Sequence, residues 1–190
     1  MRVRFVVYAA ALLTFAFAAL PLVISDQTNM VQLHVDSFTV VGVEVRTSNA
    51  REASNEGAIG KLWARLHTED FVSRIQNRAD SRIVALYTDY ESGKDGAYTY
   101  VLGAKVSSVN DIPPGMVSRK VESGTYAVFS EKGRPPAQMT PDVWKQIWSL
   151  ENTKQLQRAY KTDFEVHYGG SANDPTKAHV DIYIGLKTAQ

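Results

Sequence analysis

An alternating run near the end of the chain holds the side chains best suited to binding chemistry. The sequence AYKTDFEVHYGG, residues 159–170, predicts a β-strand, because its residue types alternate with the period of two that a strand imposes. One face carries Tyr160, Thr162, Phe164, Val166 and Tyr168, and the other carries Lys161, Asp163, Glu165 and His167. A polar row of this kind is usually exposed to water. If it instead faces an aromatic cleft, a carboxylate such as Glu165 would select lipophilic cations, which aromatic rings also attract.

The sequence contains few residues or motifs that would indicate catalytic or metal-binding chemistry. The chain has no cysteine, which excludes disulfides, zinc–cysteine sites and thiol nucleophiles. It contains no Gly-x-Ser-x-Gly sequence, phosphate-binding loop or dinucleotide fingerprint. The histidines are scattered at His34, His67, His167 and His179. A surface hairpin explains His167, His179 and Asp181 as well as a metal site does, so neither a metal nor a cofactor is expected.

Aromatic residues are the more informative class, with nine Tyr, seven Phe and three Trp. Trp63, Trp144 and Trp148 have helical spacing and are expected to pack helices against a sheet. Tyr87 and Tyr183, in contrast, lie in predicted strands two residues from Asp89 and Asp181. This mixture of rings and acids is compatible with a cation-binding cleft.

The elements that would position these residues occur twice in the order β-α-β-β. The first unit, about residues 32–107, has a long strand over 31–47 with Gly42 as a bulge or bend, and a helix with Ile59, Leu62, Trp63 and Leu66 at helical spacing. A hairpin, SGKDG, then joins strands 82–91 and 97–106. The second unit, about residues 116–188, repeats the pattern with Gly124 as the strand break and a helix capped by Thr140 with Pro141 at its first position.

Matching details support a duplication. Thr-Asp-aromatic-Glu occurs at residues 88–91 and 162–165, and Gly-x-Lys occurs at 103–105 and 185–187. The predicted fold is α+β, with the duplicated units related by a pseudo-twofold axis around a central ligand cleft.

The first 24 residues differ from the rest by their apolar character. Arg2 and Arg4 precede an uncharged run from Phe5 to Ile24, which at about 1.5 Å per residue could cross a bilayer as a helix. We expect a retained membrane anchor or a cleaved signal peptide in residues 1–24, a spacer in 25–31, and the binding domain in 32–190. The basic residues precede the run, which places the domain outside the cytoplasm, at the cell membrane or exported to the periplasmic or extracellular side.

Charge argues against nucleic acid as a partner. Two of the 21 basic residues and none of the 20 acidic residues lie in residues 1–24, so the remainder has a formal charge of −1. No basic stripe stands out along it. No helix-turn-helix fits before the predicted domain, so a transcription-factor role is not expected.

Several segments, in the correct order, resemble the GyrI-like small-molecule-binding domain, which also forms the effector-binding half of AraC-type and MerR-type multidrug-response regulators and occurs in integron-cassette effector-binding proteins. The resemblance covers about residues 35–187 and rests on FTVVGVEVRT, KLWARL, ALYTDYES, ESGTYAVF, VWKQIWS, TDFEV and VDIYIGLK. It implies paired β-α-β-β units around a cleft that binds bulky hydrophobic compounds, often cations.

Carried over by position, the resemblance implies that Glu165 is the buried acid of the cleft and that Tyr126 is the recurrent tyrosine after the glycine bend. Tyr87 and Trp148 occupy aromatic positions near the cleft, and Tyr183 is placed there by its facing strand. His167 departs from the family, which commonly has tyrosine at this position. Because a protonated imidazole would compete with a cation for Glu165, we expect ligand binding to depend on pH.

Three functions follow. The first is a stand-alone module that binds a lipophilic, often cationic, small molecule for sequestration or sensing, with no cofactor. The second is a hydrolase of electrophilic xenobiotics, a chemistry that some relatives resemble, in which Glu165 activates water and Tyr126 donates a proton. The third is an envelope protein that binds a peptide or protein partner in its cleft.

Overall fold

The computed structural model describes residues 30–169 and 175–187. Its centre is an eight-stranded antiparallel sheet with strands in the order β1-β6-β8-β7-β3-β4-β2-β5. The strands are β1 (Met30–Val35), β2 (Phe38–Ser48), β3 (Ile83–Thr88), β4 (Ala97–Val106), β5 (Val117–Val121), β6 (Gly124–Lys132), β7 (Arg158–Tyr168) and β8 (His179–Leu186). The α+β class is therefore confirmed.

The helices lie on one face of this sheet. They are α1 (Asn49–Glu52), α2 (Ile59–Glu69) and α3 (Pro136–Asn152), with 3-10 turns at Phe71–Arg74 and Pro175–Lys177. Helix α2 contacts β4, and α3 contacts β6 and β8. Leu62 of α2 and Val143, Trp144 and Ile147 of α3 are buried against the sheet. The apolar spacing that predicted both helices is thus the surface that packs them.

The strand order is symmetric. Exchanging β1 with β5, β2 with β6, β3 with β7, and β4 with β8 turns the order into its own reverse. The exchange also matches the pairing of residues between neighbouring strands. Tyr87 of β3 lies opposite Tyr100 of β4, which is three residues before Gly103. In the same way, Glu165 of β7 lies opposite Ile182 of β8, which is three residues before Gly185. By strand position, the counterpart of Glu165 is therefore Tyr87 and not Glu91, although the sequence echo pairs Glu165 with Glu91.

The sheet buries both of its faces. The helix face holds the larger core, which includes Tyr100, Phe71 and Ile182. The other face holds a second core, which includes Val40, Leu86 and Phe164. Phe38 of β2 lies 5.2 Å from Phe164 of β7, measured between ring centroids, although β3 and β4 separate these strands in the sheet. Adjacent strands are about 4.8 Å apart, so the sheet must curl strongly to bring these rings together.

Gly42 is not a bulge. It lies in the regular ladder of β2 directly opposite Gly103 of β4. A Cβ atom on Gly103 would lie 1.9 Å from the carbonyl oxygen of Val41, and one on Gly42 would lie 2.3 Å from that of Leu102. The strand actually breaks at Asp36 and Ser37, whereas the predicted break near Gly124 is confirmed between β5 and β6. The two facing glycines allow close approach of the strands.

Helix α3 begins earlier than Thr140. Pro136 occupies its first turn, where a missing N–H costs nothing, and Pro141 lies inside the helix. The N–H groups of Gln138 and Met139 both donate to the carbonyl of Pro135 at 2.9 and 3.1 Å. The extra turn buries Met139 completely, and this burial explains why the helix extends past the predicted cap.

The predicted membrane location is contradicted. No helix within residues 30–169 and 175–187 is long and apolar enough to cross a bilayer. The longest, α3, has 17 residues and carries exposed charges at Asp142 and Lys145. The apolar segment 1–24, on which the expectation of an N-terminal helix and a membrane contact rested, lies outside the described residues.

Candidate ligand-binding site

Glu165 lies on the face of the sheet that the helices cover and is not exposed to solvent. Its residue is 1% exposed. The Oε1 atom accepts hydrogen bonds from the Tyr87 hydroxyl at 2.6 Å and from the Trp144 indole N–H at 2.7 Å. The Oε2 atom is 2.8 Å from Nε2 of His167. Strands β3 and β7 and helix α3 thus supply all three partners of the carboxylate.

The carboxylate is held in its charged form. Burial raises the pKa of Glu165, but the hydrogen bond from His167 and its attraction when protonated lower it, as do the bonds from Tyr87 and Trp144. The balance leaves the pKa of Glu165 below its usual value. Within the described residues, no Lys or Arg forms an ion pair with this acid. Among the described residues, Glu165 is therefore a buried anion that lacks a permanently charged partner and is bonded to a histidine.

His167 joins the acid to the wall formed by α2. Its ring lies 4.8 Å from the Trp63 ring in an edge-to-face arrangement, and Trp63 donates its indole N–H to the Tyr100 hydroxyl at 2.8 Å. Since Nε2 donates to Glu165, Nδ1 is the free ring nitrogen, and this buried atom has no hydrogen-bond partner among the described residues. His167 consequently offers an unused polar atom beside the acid.

Aromatic rings enclose the carboxylate. Tyr87 packs edge-to-face on Tyr100 and on Trp144, with ring centroids 5.0 Å apart in each pair. Burial, and then the charge of Glu165, raises the pKa of Tyr87 well above its ordinary value, so this hydroxyl stays protonated and donates. The carboxylate is thus bonded to Trp144 of α3, while Trp63 of α2 lies against the ring of His167, its other partner.

A second buried acid lies two residues earlier on the same strand face. Asp163 is fully buried and accepts from Arg158 Nη2 at 2.6 Å, from the Tyr90 hydroxyl at 2.7 Å and from the Gly185 N–H at 2.8 Å. Arg158 is 3% exposed, and the centre of its guanidinium lies 4.3 Å from the Tyr160 ring and 5.4 Å from the Trp144 ring. This acid, unlike Glu165, has a permanent cation of the protein as its partner.

The structure brings together Glu165, His167 and Tyr87 and separates the others. Trp148 of α3 lies 6.1 Å from Trp144, ring to ring, and its buried indole N–H has no partner among the described residues. Tyr126 and Tyr183 lie on the opposite face of the sheet, where each packs on Phe164 at ring distances of 5.3 and 4.4 Å. Tyr126 donates instead to the backbone carbonyl of Glu122 at 3.2 Å.

Sequence reasoning assigned Trp63 and Trp144 to packing alone and did not single out Arg158. A signal for the tryptophans was available, because in each helix the tryptophan directly follows an aliphatic residue of the apolar stripe, Leu62 or Val143. Arg158 gives no comparable signal, since its burial depends on a fold irregularity. The register of β7 against β8 shifts between Arg158 and Asp163, and Tyr160 within that stretch has a φ of 54°.

Comparison with known protein families shows which family this chain belongs to. Residues 33–186 match the family described as integron-associated effector binding protein. The chain belongs to this family. The resemblance inferred from the motifs is thereby confirmed.

Relatives of this effector-binding family include proteins of several kinds. YobU of Bacillus subtilis (strain 168), whose name describes it as a candidate transcriptional regulator, is 34% identical over 156 residues, which are 81% of this chain and 95% of YobU. An integron cassette protein from the mobile metagenome of Vibrio cholerae is 30% identical, with a TM-score of 0.69 over 83% of this chain and 95% of that one.

A third similar structure was solved with a bound ligand. SAV2435 bound to tetraphenylphosphonium has a TM-score of 0.67 over 83% of this chain and 93% of its own, with 19% identity. At this identity the likeness shows a shared fold. Membership of the effector-binding family supports small-molecule binding by the chain described here.

Proposed function

We propose that this protein binds a lipophilic monocation in the cleft between α2 and α3, with Glu165 as the counter-ion, and that it acts in sequestration or sensing. The binding unit comprises residues 32–190, built from two duplicated units, about 32–107 and 116–188, whose pseudo-twofold axis passes between β3 and β7. The observation that carries the proposal is the burial of Glu165 among aromatic rings without a Lys or Arg partner among the described residues.

The physical argument is one of solvation. A buried carboxylate is costly unless it is paired, and here hydrogen bonds from Tyr87 and Trp144 supply only part of what water would supply. A lipophilic cation sheds water easily and gains both the charge of Glu165 and the faces of the surrounding rings. The bound tetraphenylphosphonium of SAV2435 belongs to this chemical class, which supports the same class of ligand here.

Ligand entry requires the aromatic residues to move apart, because Glu165 is enclosed in this structure. Trp63 is a half-buried member of the enclosure, and its ring contacts His167 beside the acid. Displacement of Trp63 would open the side of the acid where His167 lies. It would leave the bonds of Tyr87 and Trp144 to Oε1 in place.

Tetraphenylphosphonium binding by isothermal titration calorimetry tests the proposal. In Glu165→Gln the amide oxygen can still accept from Tyr87 and Trp144, so the fold is retained while the charge is lost. We expect the affinity to fall at least about tenfold, since two charges 4 Å apart interact by about 4 kcal/mol at an effective dielectric constant near 20.

Glu56→Gln is the matched control, because this side chain is exposed and its hydrogen bonds to other described residues involve only the backbone. Triphenylphosphine oxide provides a neutral ligand of similar shape, and its affinity should be the same in wild type and Glu165→Gln. Equal tetraphenylphosphonium affinity in wild type and Glu165→Gln would refute the role of the acid. Equal losses for the charged and the neutral ligand would show that the substitution damaged the cleft and not its charge.

The geometry does not favour the hydrolase alternative in the form expected from the sequence. Tyr126 lies on the opposite face of the sheet from Glu165, so one substrate cannot contact both. The pKa of Glu165 is lowered, and a carboxylate with a lowered pKa is a weaker base for activating water.

A further inference from the structure

The helix-facing row of β7 presents two buried carboxylates where one cationic ligand is proposed to bind. Asp163 and Glu165 are 0% and 1% exposed and are separated by two residues, which is about 7 Å along a strand. A cleft with two free carboxylates at this spacing would favour a ligand with two positive charges. Arg158, however, is bonded to Asp163 and removes one of these two carboxylates from the set available to a ligand.

Arg158 occupies its surroundings much as a cationic ligand would. Its guanidinium is bonded to Asp163 at 2.6 Å and lies against the rings of Tyr160, Trp144 and Tyr90 at 4.3, 5.4 and 5.9 Å. These are the elements of a cation-binding cage, a carboxylate with aromatic faces, and the chain fills the cage itself.

Trp144 is shared by this cage and the proposed ligand site. Its indole N–H bonds to Glu165 at 2.7 Å, while its ring faces Arg158. A ligand cation beside Glu165 would therefore lie one indole away from a permanent positive charge. Burial weakens the screening between them, so their repulsion is larger than it would be in water.

Other charges near Arg158 do not restore a free negative charge. Glu151 lies 3.6 Å from Nη1 of Arg158 and accepts a hydrogen bond from the Tyr160 hydroxyl at 2.6 Å. Lys154 and Lys187 line the same shallow cavity of about 260 Å³ as Glu151 and Arg158. The two acids, Asp163 and Glu151, thus face three cations, Arg158 and the two lysines, so no net negative charge is left there.

We infer that Arg158 is a specificity-determining residue that restricts the cleft to ligands with a single positive charge, an inference that rests on the proposed function. With Arg158 bound to Asp163, only Glu165 remains for a ligand cation. The second charge of a dication finds no free carboxylate at Asp163 and is repelled by the guanidinium.

A matched pair of probes tests this inference. Benzyltrimethylammonium carries one quaternary ammonium group, and para-xylylene-bis(trimethylammonium) carries two on opposite sides of one benzene ring. Each is titrated into the full-length protein holding tetraphenylphosphonium, and the ratio of dication to monocation affinity is compared between variants. A ratio cancels general changes in the stability or the shape of the cleft.

Arg158→Gln should raise this ratio at least about tenfold, because Asp163 keeps its bonds from Tyr90 and Gly185 and its charge becomes available. Arg158→Lys retains the positive charge without the planar fork, and its ratio should stay near that of wild type. A ratio that rises equally in both variants would overturn the inference, since it would reflect lost packing and not lost charge. An unchanged ratio in Arg158→Gln would also overturn it.

Asp163→Asn provides a second test if Arg158→Gln does not fold. Here the guanidinium keeps its charge and loses its main partner, so monocation affinity should fall by about tenfold and dication affinity by more. Unchanged affinities in Asp163→Asn would contradict the inference. Failure of wild type to bind tetraphenylphosphonium at all would refute the proposed function instead, which keeps the two failures distinct.

Discussion

The hydroxyl of Tyr87 offers the sharpest test of the Glu165 site. Tyr87→Phe removes one hydrogen-bond donor and leaves the ring that packs on Tyr100 and Trp144. Tyr126→Phe is a matched control, because both tyrosines are buried, at 8% and 4% exposure, and each hydroxyl donates one bond. The acceptors differ, since Tyr87 donates to a carboxylate and Tyr126 to a backbone carbonyl.

The difference in acceptor determines how much stability each substitution should remove. A hydrogen bond to a charged group contributes about 1.5–3 kcal/mol, whereas a neutral one contributes about 1 kcal/mol. We therefore expect Tyr87→Phe to lower the free energy of unfolding by about 2 kcal/mol and Tyr126→Phe by about 1 kcal/mol. For a chain of this size, the former corresponds to a fall in Tm of roughly 4–8 °C.

Two measurements together decide the outcome. Urea denaturation gives the free energies, and carbon-13 NMR of the Glu165 carboxyl gives its pKa, which should rise in Tyr87→Phe because one of the bonds that lower it is gone. In Tyr126→Phe the same pKa should not change. Equal losses of stability in both variants, with no rise in the pKa of Glu165, would refute the assignment of Tyr87 as its donor.

Three further predictions concern pH, ligand and backbone. The pKa of Glu165 in the folded state lies below its ordinary value of 4.5, so this acid stabilises the fold above about pH 4.5 and loses that contribution as the pH falls through the folded pKa. The urea midpoint should therefore fall with decreasing pH in wild type, and much less in Glu165→Gln. Tetraphenylphosphonium affinity should be lower at about pH 5.5 than at about pH 8, because protonated His167 pairs with Glu165, and identical calorimetric affinities would contradict this. Gly103→Ala should destabilise the protein by about 3 kcal/mol, since its Cβ would overlap Val41, whereas Gly60→Ala, with open space in α2, should stabilise it by about 0.5–1 kcal/mol; thermal denaturation of both checks the pair.

Much of the fold follows from local patterns in the sequence. The spacing of Ile59, Leu62, Trp63 and Leu66 predicts α2, and the hairpin between β3 and β4 follows from SGKDG. The start of α3 does not follow, because the cap residues at Thr140 and Pro141 are local signals and the burial of Met139 is a tertiary one. Tertiary packing here outweighs a cap that is worth about 1 kcal/mol.

The repeat shows how sequence similarity can differ from structural equivalence. The Thr-Asp-aromatic-Glu echo aligns Glu91 with Glu165, yet Glu91 lies beyond the end of β3 and forms an exposed ion pair with Arg46 at 2.8 Å. Register places Tyr87 at the matching ladder position. In the β3–β7 ladder Tyr87 lies opposite Asp163, two residues from Glu165 on the same face, and this proximity allows Tyr87 to donate to Glu165.

The polar row of β7 was predicted to be exposed to water, because alternation in a sequence shows that the two faces of a strand differ but not which face is covered. Helices from both units cover the face of Asp163 and Glu165, and the curled sheet covers the face of Phe164, so both faces are buried. An acid buried in this way must have a partner, and β7 gives its two acids different ones. Asp163 is paired with Arg158, whose charge is always present, and Glu165 is bonded to His167, which is charged only if it is protonated. The acid without a permanent cation as its partner is the one that we propose binds a ligand cation.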